Sequence, residues 1–245
     1  QATGETAQLV RDFNVMAERL QSMTREREFW NAAIAHELRT PVTILRGRLQ
    51  GLAEGVFDPS DELFEGLLRQ VEGLNRLIED LRVLSLRDSG HLDIQCTRVR
   101  LADELSGVLR AFAEPLAAKG FHLHDELDAD LLVECDALRI RQALMALLEN
   151  ALRHADPCNL RVRLEQIGKD CQLSVEDDGP GIDSELTSEI FEAFSRGDPS
   201  RSRKSGGSGL GLAVVKAIAE AHDGHARCRA SGMGSSFIIS WPART

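Results

Sequence analysis

Apolar residues near the start of the chain fall at Leu9, Phe13, Met16, Leu20 and Met23, in steps of four and three. That spacing is the seam of an amphipathic helix packed lengthwise on another helix. It runs on through Trp30, Ile34, Leu38, Leu45, Leu49 and Leu52 with no turn signal before Gly55. One long helix, or two joined coaxially, is predicted. Gly55 is read as its stop, and Asp58-Pro59 as the cap and first residue of the next helix. That second helix repeats the spacing at Leu63, Leu67, Val71, Leu74, Ile78, Leu81 and Leu84. Asp61 and Glu62 put negative charge in its first turn, where the helix dipole favours it. Two such helices form an antiparallel hairpin, each keeping an apolar stripe the other does not cover. A homodimer forming a four-helix bundle would bury both stripes; packing on the downstream domain is the alternative.

Beyond Asp88-Ser89-Gly90 the pattern alternates. Residues 101–119 read as a helix, 121–127 and 131–135 as short strands, and 136–155 as a strong helix. Leu160–Ile167 and Cys171–Glu176 alternate as strands around a Lys169-Asp170 turn. A helix over 184–194, a loop over 195–208 rich in Gly, Ser and Arg, a helix over 209–222 and strands near 225–230 and 235–241 complete the chain. The mixture predicts an α+β layer, a sheet covered on one face by helices.

With 42% hydrophobic and 28% charged residues the balance is that of a soluble globular protein. Aromatics make up only 4%, so the core is built mainly from Leu, Ala, Val and Ile. A formal charge of −10 argues against nucleic acid and against a polybasic hold on acidic lipid. The cysteines (Cys96, Cys135, Cys158, Cys171 and Cys228) are dispersed without a C-x-x-C pair, which reads as reduced thiols in a cytosolic setting. No apolar run is long enough to span a bilayer and no signal peptide opens the chain. It begins without Met and in mid-pattern, as a fragment of a longer protein would.

Two glycine clusters bracket the basic loop. Asp177-Asp178-Gly179-Pro180-Gly181 follows a strand, and Gly206-Gly207-Ser208-Gly209-Leu210-Gly211 opens a helix. Glycine there permits positive φ and close approach of backbone N–H groups to an anion. Neither spacing is a dinucleotide fingerprint or a P-loop. Each cluster alone is an ordinary turn; together, around a basic loop, they indicate a phosphate site. On the 136–155 helix, Glu149, Asn150 and Arg153 lie within about one turn of 3.6 residues. An amide oxygen and a carboxylate suit Mg²⁺, while a solvated polar face is the plainer reading of that helix seen alone. On the first helix, His36-Glu37-Leu38-Arg39-Thr40-Pro41 places an imidazole off the apolar seam. Thr40 is one turn on, and Pro41 removes the N–H that would bond the Glu37 carbonyl.

The order of the Asn150 segment, Asp177-x-Gly179-x-Gly181, Phe191-x-x-Phe194-x-Arg196 and Gly207-x-Gly209-Leu210-Gly211-Leu212 resembles the N, G1, F and G2 boxes of Bergerat-type ATPases. Sensor histidine kinases, type II topoisomerases, mismatch-repair ATPases and heat-shock chaperones share that fold. The Phe-rich box and His36–Pro41 are similar to the histidine kinases alone, and residues 1–28 resemble the last helix of a HAMP signalling module. The resemblance implies a signalling helix at 1–28, a dimerisation and phosphotransfer domain at 29–88, a linker at 89–100 and a Bergerat-type α/β sandwich at 101–245.

It further implies ATP and Mg²⁺ as cofactors. Asn150, and Glu149 as a second candidate, would hold the metal. Asp177 would read the adenine amino group in a pocket shaped by Gly179 and Gly181. Arg153 and Arg196 would meet phosphate, residues 195–208 would form a lid over the triphosphate hinged by Gly207, Gly209 and Gly211, and Leu210 would lie with them in the ATP site. His36 would be the nucleophile, Glu37 its base, and Thr40 would serve the reverse, phosphatase reaction. Pro41 would supply a bend through which helix motion changes access to His36. The implied partners are a second copy of the chain and the receiver domain of a response regulator, which takes the phosphoryl group on an aspartate. The implied setting is the cytoplasmic side of a bacterial inner membrane, reached through transmembrane segments outside this chain. One departure stands out: the N box usually carries a second Asn four residues earlier, and here that position is Ala146. It keeps open a nucleotide-binding scaffold or phosphatase with little or no autokinase activity.

Overall fold

The structure, a computed structural model, describes residues 2–182, 187, 189–194, 208–231 and 234–243, excluding the side chains of 2–7, 9–11 and 26. Helix α1 (Ala2–Ala53) is one unbroken element with Pro41 inside it. It ends where the glycine predicts. Gly55 has φ 70°, its N–H reaches the Leu52 carbonyl at 3.2 Å, and the N–H of Val56 reaches that of Gly51 at 2.8 Å. This is the paired closure of a Schellman motif, which needs a left-handed residue after the cap. Helix α2 (Asp61–Asp88) starts two residues beyond the predicted Pro59. Ser60 is the cap, its hydroxyl accepting from the Leu63 N–H at 3.2 Å. The hairpin closes with the Arg48 side chain lying against Gly66, where a Cβ would meet its guanidinium at 2.9 Å.

The chain divides into two compact units inside α2, Gln1–Arg76 and Leu77–Thr245. In the second, the last turns of α2 are held by two ion pairs. Arg139 meets Glu79 at 3.1 Å, and Arg87 meets Glu220 at 3.0 Å. Val83 and Leu84 are buried between them in sequence. The span 89–100, predicted as a linker, ends in strand β1 (Thr97–Arg100), which pairs antiparallel with β3 (Leu132–Cys135). Helix α3 (Leu101–Ala118) and strand β2 (His122–Leu127) come between these two strands in sequence.

Helix α4 (Ala137–His154) is capped by Asp136, whose Oδ1 accepts from the Arg139 N–H at 3.1 Å. Its Oδ2 takes the Gln95 N–H at 2.9 Å, while the Asp136 N–H donates to Nε2 of buried His222. The side chain of this one residue joins the linker to the start of α4, and its backbone N–H ties both to the end of the last helix. Strands β4 (Asn159–Ile167) and β5 (Asp170–Asp177) form a hairpin over Gly168-Lys169, one residue earlier than predicted. The reason is backbone geometry: Gly168 takes φ 64°, which the first position of a tight hairpin turn requires.

Helix α5 (Gly211–Ala221) and strands β6 (His225–Ser231) and β7 (Gly234–Pro242) follow. The main sheet runs β2-β4-β5-β7-β6, with only the β2–β4 pair parallel. In β4, Leu160, Val162 and Leu164 are buried while Asn159 and Arg161, on either side of Leu160, face solvent, as a two-residue period requires. Those inward side chains join Leu173, Val175, Ile239 and Trp241 against Leu105, Leu144, Leu148 and Ile218 from the helices. Inside the predicted 184–194 helix, the described residue 187 is 3₁₀-helical and 189–194 form turns and a bend. Phe194 takes φ 59° there, and its N–H donates to the Gly209 carbonyl at 2.9 Å. Burial pushes the Cys135 thiol up to about 12 and those of Cys171 and Cys228 to about 11, so none of the three is a thiolate at neutral pH.

Gly224 marks the tightest crossing in this layer, where a Cβ would lie 1.9 Å from the Ser240 carbonyl oxygen. Gly224→Ala should cost about 3 kcal/mol through forced backbone displacement. It should lower the thermal midpoint by more than about 5 °C, as read by circular dichroism.

Candidate functional site

The second unit contains an open cleft between α4 and the sheet. Asn150 and His154 line it from α4, and Asp177, Pro180, Gly181 and Ile182 from the turn after β5. Ser235 and Phe237 line it from β7, with Leu147, Leu160 and Val175 as apolar walls. The fold therefore brings together residues predicted from two separate motifs, Asn150 from one and Asp177 and Gly181 from the other.

Asp177 is fixed from both sides. Its Oδ1 accepts the Gly179 N–H at 3.0 Å, and its Oδ2 accepts the hydroxyl of Ser235, its partner across the β5–β7 ladder. Each carboxylate oxygen keeps a further lone pair for a ligand donor. The close approach of the strands depends on Gly234, with φ 129°, where a Cβ would lie 2.0 Å from the Asp177 carbonyl oxygen. Gly181 has φ 77° and is thus a required left-handed position in the turn.

The second glycine cluster meets α4 one turn before Asn150. A Cβ on Gly211 would lie 3.7 Å from Cβ of Ala146, and one on Gly209, with φ 68°, would lie 3.2 Å from Cα of Phe194. Leu210 is wholly buried and forms the N-cap of α5 without a side-chain cap bond. A helix start that its own N-cap residue leaves without a side-chain bond suits an anion. Glu149 and Arg153 pair with each other at 3.7 Å along α4, and neither lines the cleft. Arg196 and Gly207 lie outside the described residues, as does the basic segment 195–207.

Ala146 supplies no oxygen, and the described residues include no cluster of three or more His, Cys, Asp or Glu fit for a metal. The amide oxygen of Asn150 suits a Mg²⁺ that keeps most of its ligands from phosphates and water. It does not make an all-protein cage.

In the first unit, His36, Thr40 and Arg39 are exposed on α1, and Glu37 is half-buried. The Thr40 hydroxyl donates to the His36 backbone carbonyl at 3.3 Å. That side chain is turned toward the helix backbone, in a contact that tends to bend helices. Sequence reasoning missed Ser235, Phe237 and His154. A Gly-Ser-Ser run ahead of the final strand was the only local sign of the first two.

Residues 135–245 match the Histidine kinase-, DNA gyrase B-, and HSP90-like ATPase family, and residues 26–90 match the His Kinase A (phospho-acceptor) domain. The solved structure of Acinetobacter baumannii histidine kinase AdeS is 38% identical with a TM-score of 0.70, covering 86% of this chain and 98% of that one. The chain belongs to the sensor histidine kinases. Another member, the signal transduction histidine-protein kinase BaeS of Escherichia coli K12, is 37% identical over 235 residues, 96% of this chain and 50% of the relative. A histidine kinase ThkA solved in complex with the response regulator protein TrrA is 26% identical with a TM-score of 0.63, covering 87% of this chain and 61% of that one. The chain spans about half the length of the curated relatives it matches. No described helix is long and apolar enough to cross a membrane.

Withdrawal from water, followed by the neighbouring Arg153 guanidinium, lowers the His154 pKa from its ordinary value near 6.5. The unfolded chain then binds this proton more readily than the folded one, so stability is lost as pH falls below about 6.5. His154→Gln should flatten the fall in melting temperature between about pH 7 and pH 5 relative to the parent chain.

Proposed function

We propose that the parent protein is an ATP-dependent autokinase that phosphorylates His36 and passes the phosphoryl group to an aspartate of a response regulator. The observation that carries this reading is the cleft. An amide from α4 and a doubly braced carboxylate from β5 converge there, in a chain that also exposes a histidine on α1.

The Asp177 carboxylate accepts from the adenine amino group, and Ser235 and Gly179 keep it from turning away. The uncapped start of α5, with Gly209 and Gly211 beside it, receives phosphate oxygens on backbone N–H groups. Asn150 would hold Mg²⁺, which when bound neutralises phosphate charge. Arg153 and Arg196 are the cationic contacts to phosphate. The Glu149–Arg153 pair makes Glu149 the weaker metal candidate. Gly207, Gly209 and Gly211 would hinge a lid formed by 195–208, and Leu210 would lie beside them in the nucleotide site.

At His36 a neutral ring nitrogen attacks the γ-phosphorus. A nitrogen–phosphorus bond forms as the bond to the ADP oxygen breaks, and Glu37 takes the proton from the other ring nitrogen. The phosphoryl group then moves to the regulator's aspartate and leaves the imidazole free. Support for that partner comes from the ThkA–TrrA complex. Thr40 would serve the phosphatase reaction once its hydroxyl leaves the His36 carbonyl.

The solvent-facing apolar residues support a homodimer. Phe13, Met16, Leu20 and Met23 are each more than half exposed on α1, as is Leu68 on α2. A stripe of that length is covered in a four-helix bundle. The same reading sets the chain on the cytoplasmic side of a bacterial inner membrane, anchored by segments outside it. Ala146 favours a second reading, a nucleotide-binding scaffold or phosphatase with weak autokinase activity.

Incubation with γ-labelled ATP and Mg²⁺ separates the two. The autokinase reading expects an acid-labile, alkali-stable label that His36→Gln abolishes and Glu37→Gln slows by about 100-fold. Asp177→Asn should weaken ADP binding by about 10- to 100-fold, the worth of a hydrogen bond to a charged group. Bound nucleotide with no label on the parent chain would leave only the scaffold.

A further inference from the structure

The turn that carries Asp177 is tied to the sheet through its next residue. The Asp178 carboxylate accepts two hydrogen bonds from Asn159, the backbone N–H to Oδ1 at 2.8 Å and the side-chain Nδ2 to Oδ2 at 2.6 Å. In return the Asp178 N–H donates to the Asn159 carbonyl at 3.3 Å. Asn159 is the first residue of β4, and its neighbour Leu160 pairs with Asp177. The pair just past the end of the β4–β5 ladder is thus closed by a side chain where a backbone carbonyl would otherwise accept.

A carboxylate without its proton only accepts, so the Asn159 amide nitrogen faces Asp178 and the amide oxygen faces away. That oxygen lies 3.3 Å from Nε2 of His124 on the edge strand β2, and this nitrogen must therefore carry a hydrogen. The Asn159 bonds hold the Asp178 carboxyl below its usual range, which keeps it charged at physiological pH. Three strands meet here through polar groups, beside the cleft and outside its lining.

The segment needs such a tie. Two of the residues at 177–181 are glycines, and Gly181 is left-handed, so the turn has more backbone freedom than most. Freedom lost on binding is subtracted from affinity.

We propose that Asn159 is a positioning residue for the nucleotide site, its paired bonds to Asp178 fixing the turn from which Asp177 reaches the adenine. This rests on the nucleotide reading of the cleft. The clamp orders the turn before the ligand arrives and itself touches no part of the ligand.

The test is ADP binding by titration calorimetry on the full chain, with melting temperatures measured without nucleotide. Asn159→Ala and Asp178→Ala should each weaken ADP binding by about tenfold, the scale of ordering one residue's backbone. The double variant should be no weaker than either single. Asn159→Asp alone sets two carboxylates together and should also lose affinity. Adding Asp178→Asn to it rebuilds the side-chain bond in the opposite direction, with the Asn159→Asp carboxylate now accepting, and should restore affinity to within about threefold of the parent.

Single variants that bind ADP like the parent, or single losses that multiply in the double, would overturn the proposal. So would an exchanged pair that melts like the parent but stays weak. If a single variant fails to fold, the exchanged pair alone decides. A parent chain that binds no ADP would instead sink the nucleotide reading, and this inference with it.

Discussion

The register between β5 and β7 is the constraint on which the site rests. It sets Asp177 opposite Ser235, so that a carboxylate at the end of a buried strand meets a hydroxyl from a segment 58 residues away. Shifting that pairing by one residue would turn every side chain of β7 over. Phe237, Ile239 and Trp241 would leave the core and Ser235 would leave Asp177. The packing of β7 and the chemistry of the cleft are therefore one requirement. The burial of Trp241 and Ile239 holds the acid in place more firmly than any local hydrogen bond could.

The helices serve the same end by other means. α4 must present Asn150 to the cleft, and its rotation about its own axis is set by the buried Ile140, Leu144, Leu147 and Leu148. Its start is fixed by Asp136, which is bonded at once to the linker, to its own first turn and to the end of α5 through His222. Removing that carboxylate would loosen the linker and the start of α4 together. This is why a single N-cap matters here beyond its usual worth of about 1 kcal/mol.

Much of this architecture was legible in the chain because it is written locally. The Gly55 stop, the 136–155 helix and the alternation through β4 each depend on neighbours a few residues apart, and each element appears within a few residues of its prediction. Asn150, Asp177 and Gly181 could be grouped from motif order, and the structure brings them to one cleft. Elements fixed by distant partners were not legible. β1 reads as Thr-Arg-Val-Arg, too short and polar to announce a strand until Cys135 and its neighbours pair with it. Ser235 and Asn159 act through register and through a turn on another strand, which no local period encodes. The helix expected over 184–194 gave way to turns and a bend at 189–194. There a left-handed Phe194 bonded to Gly209 outweighs the helical spacing of the apolar side chains.

Gly234 carries a consequence for any attempt to retarget this protein to another ligand. The space a side chain would need at that position is filled by the backbone of Asp177 itself, so the floor of the cleft works as a fixed ruler. A base of different shape cannot be accommodated by sliding β7 outward without also dislodging the acid that would read it. Room can be made only from the α4 wall, where Leu147 and His154 are side chains rather than backbone. Altered ligand preference should therefore be sought there, with the sheet left as it is.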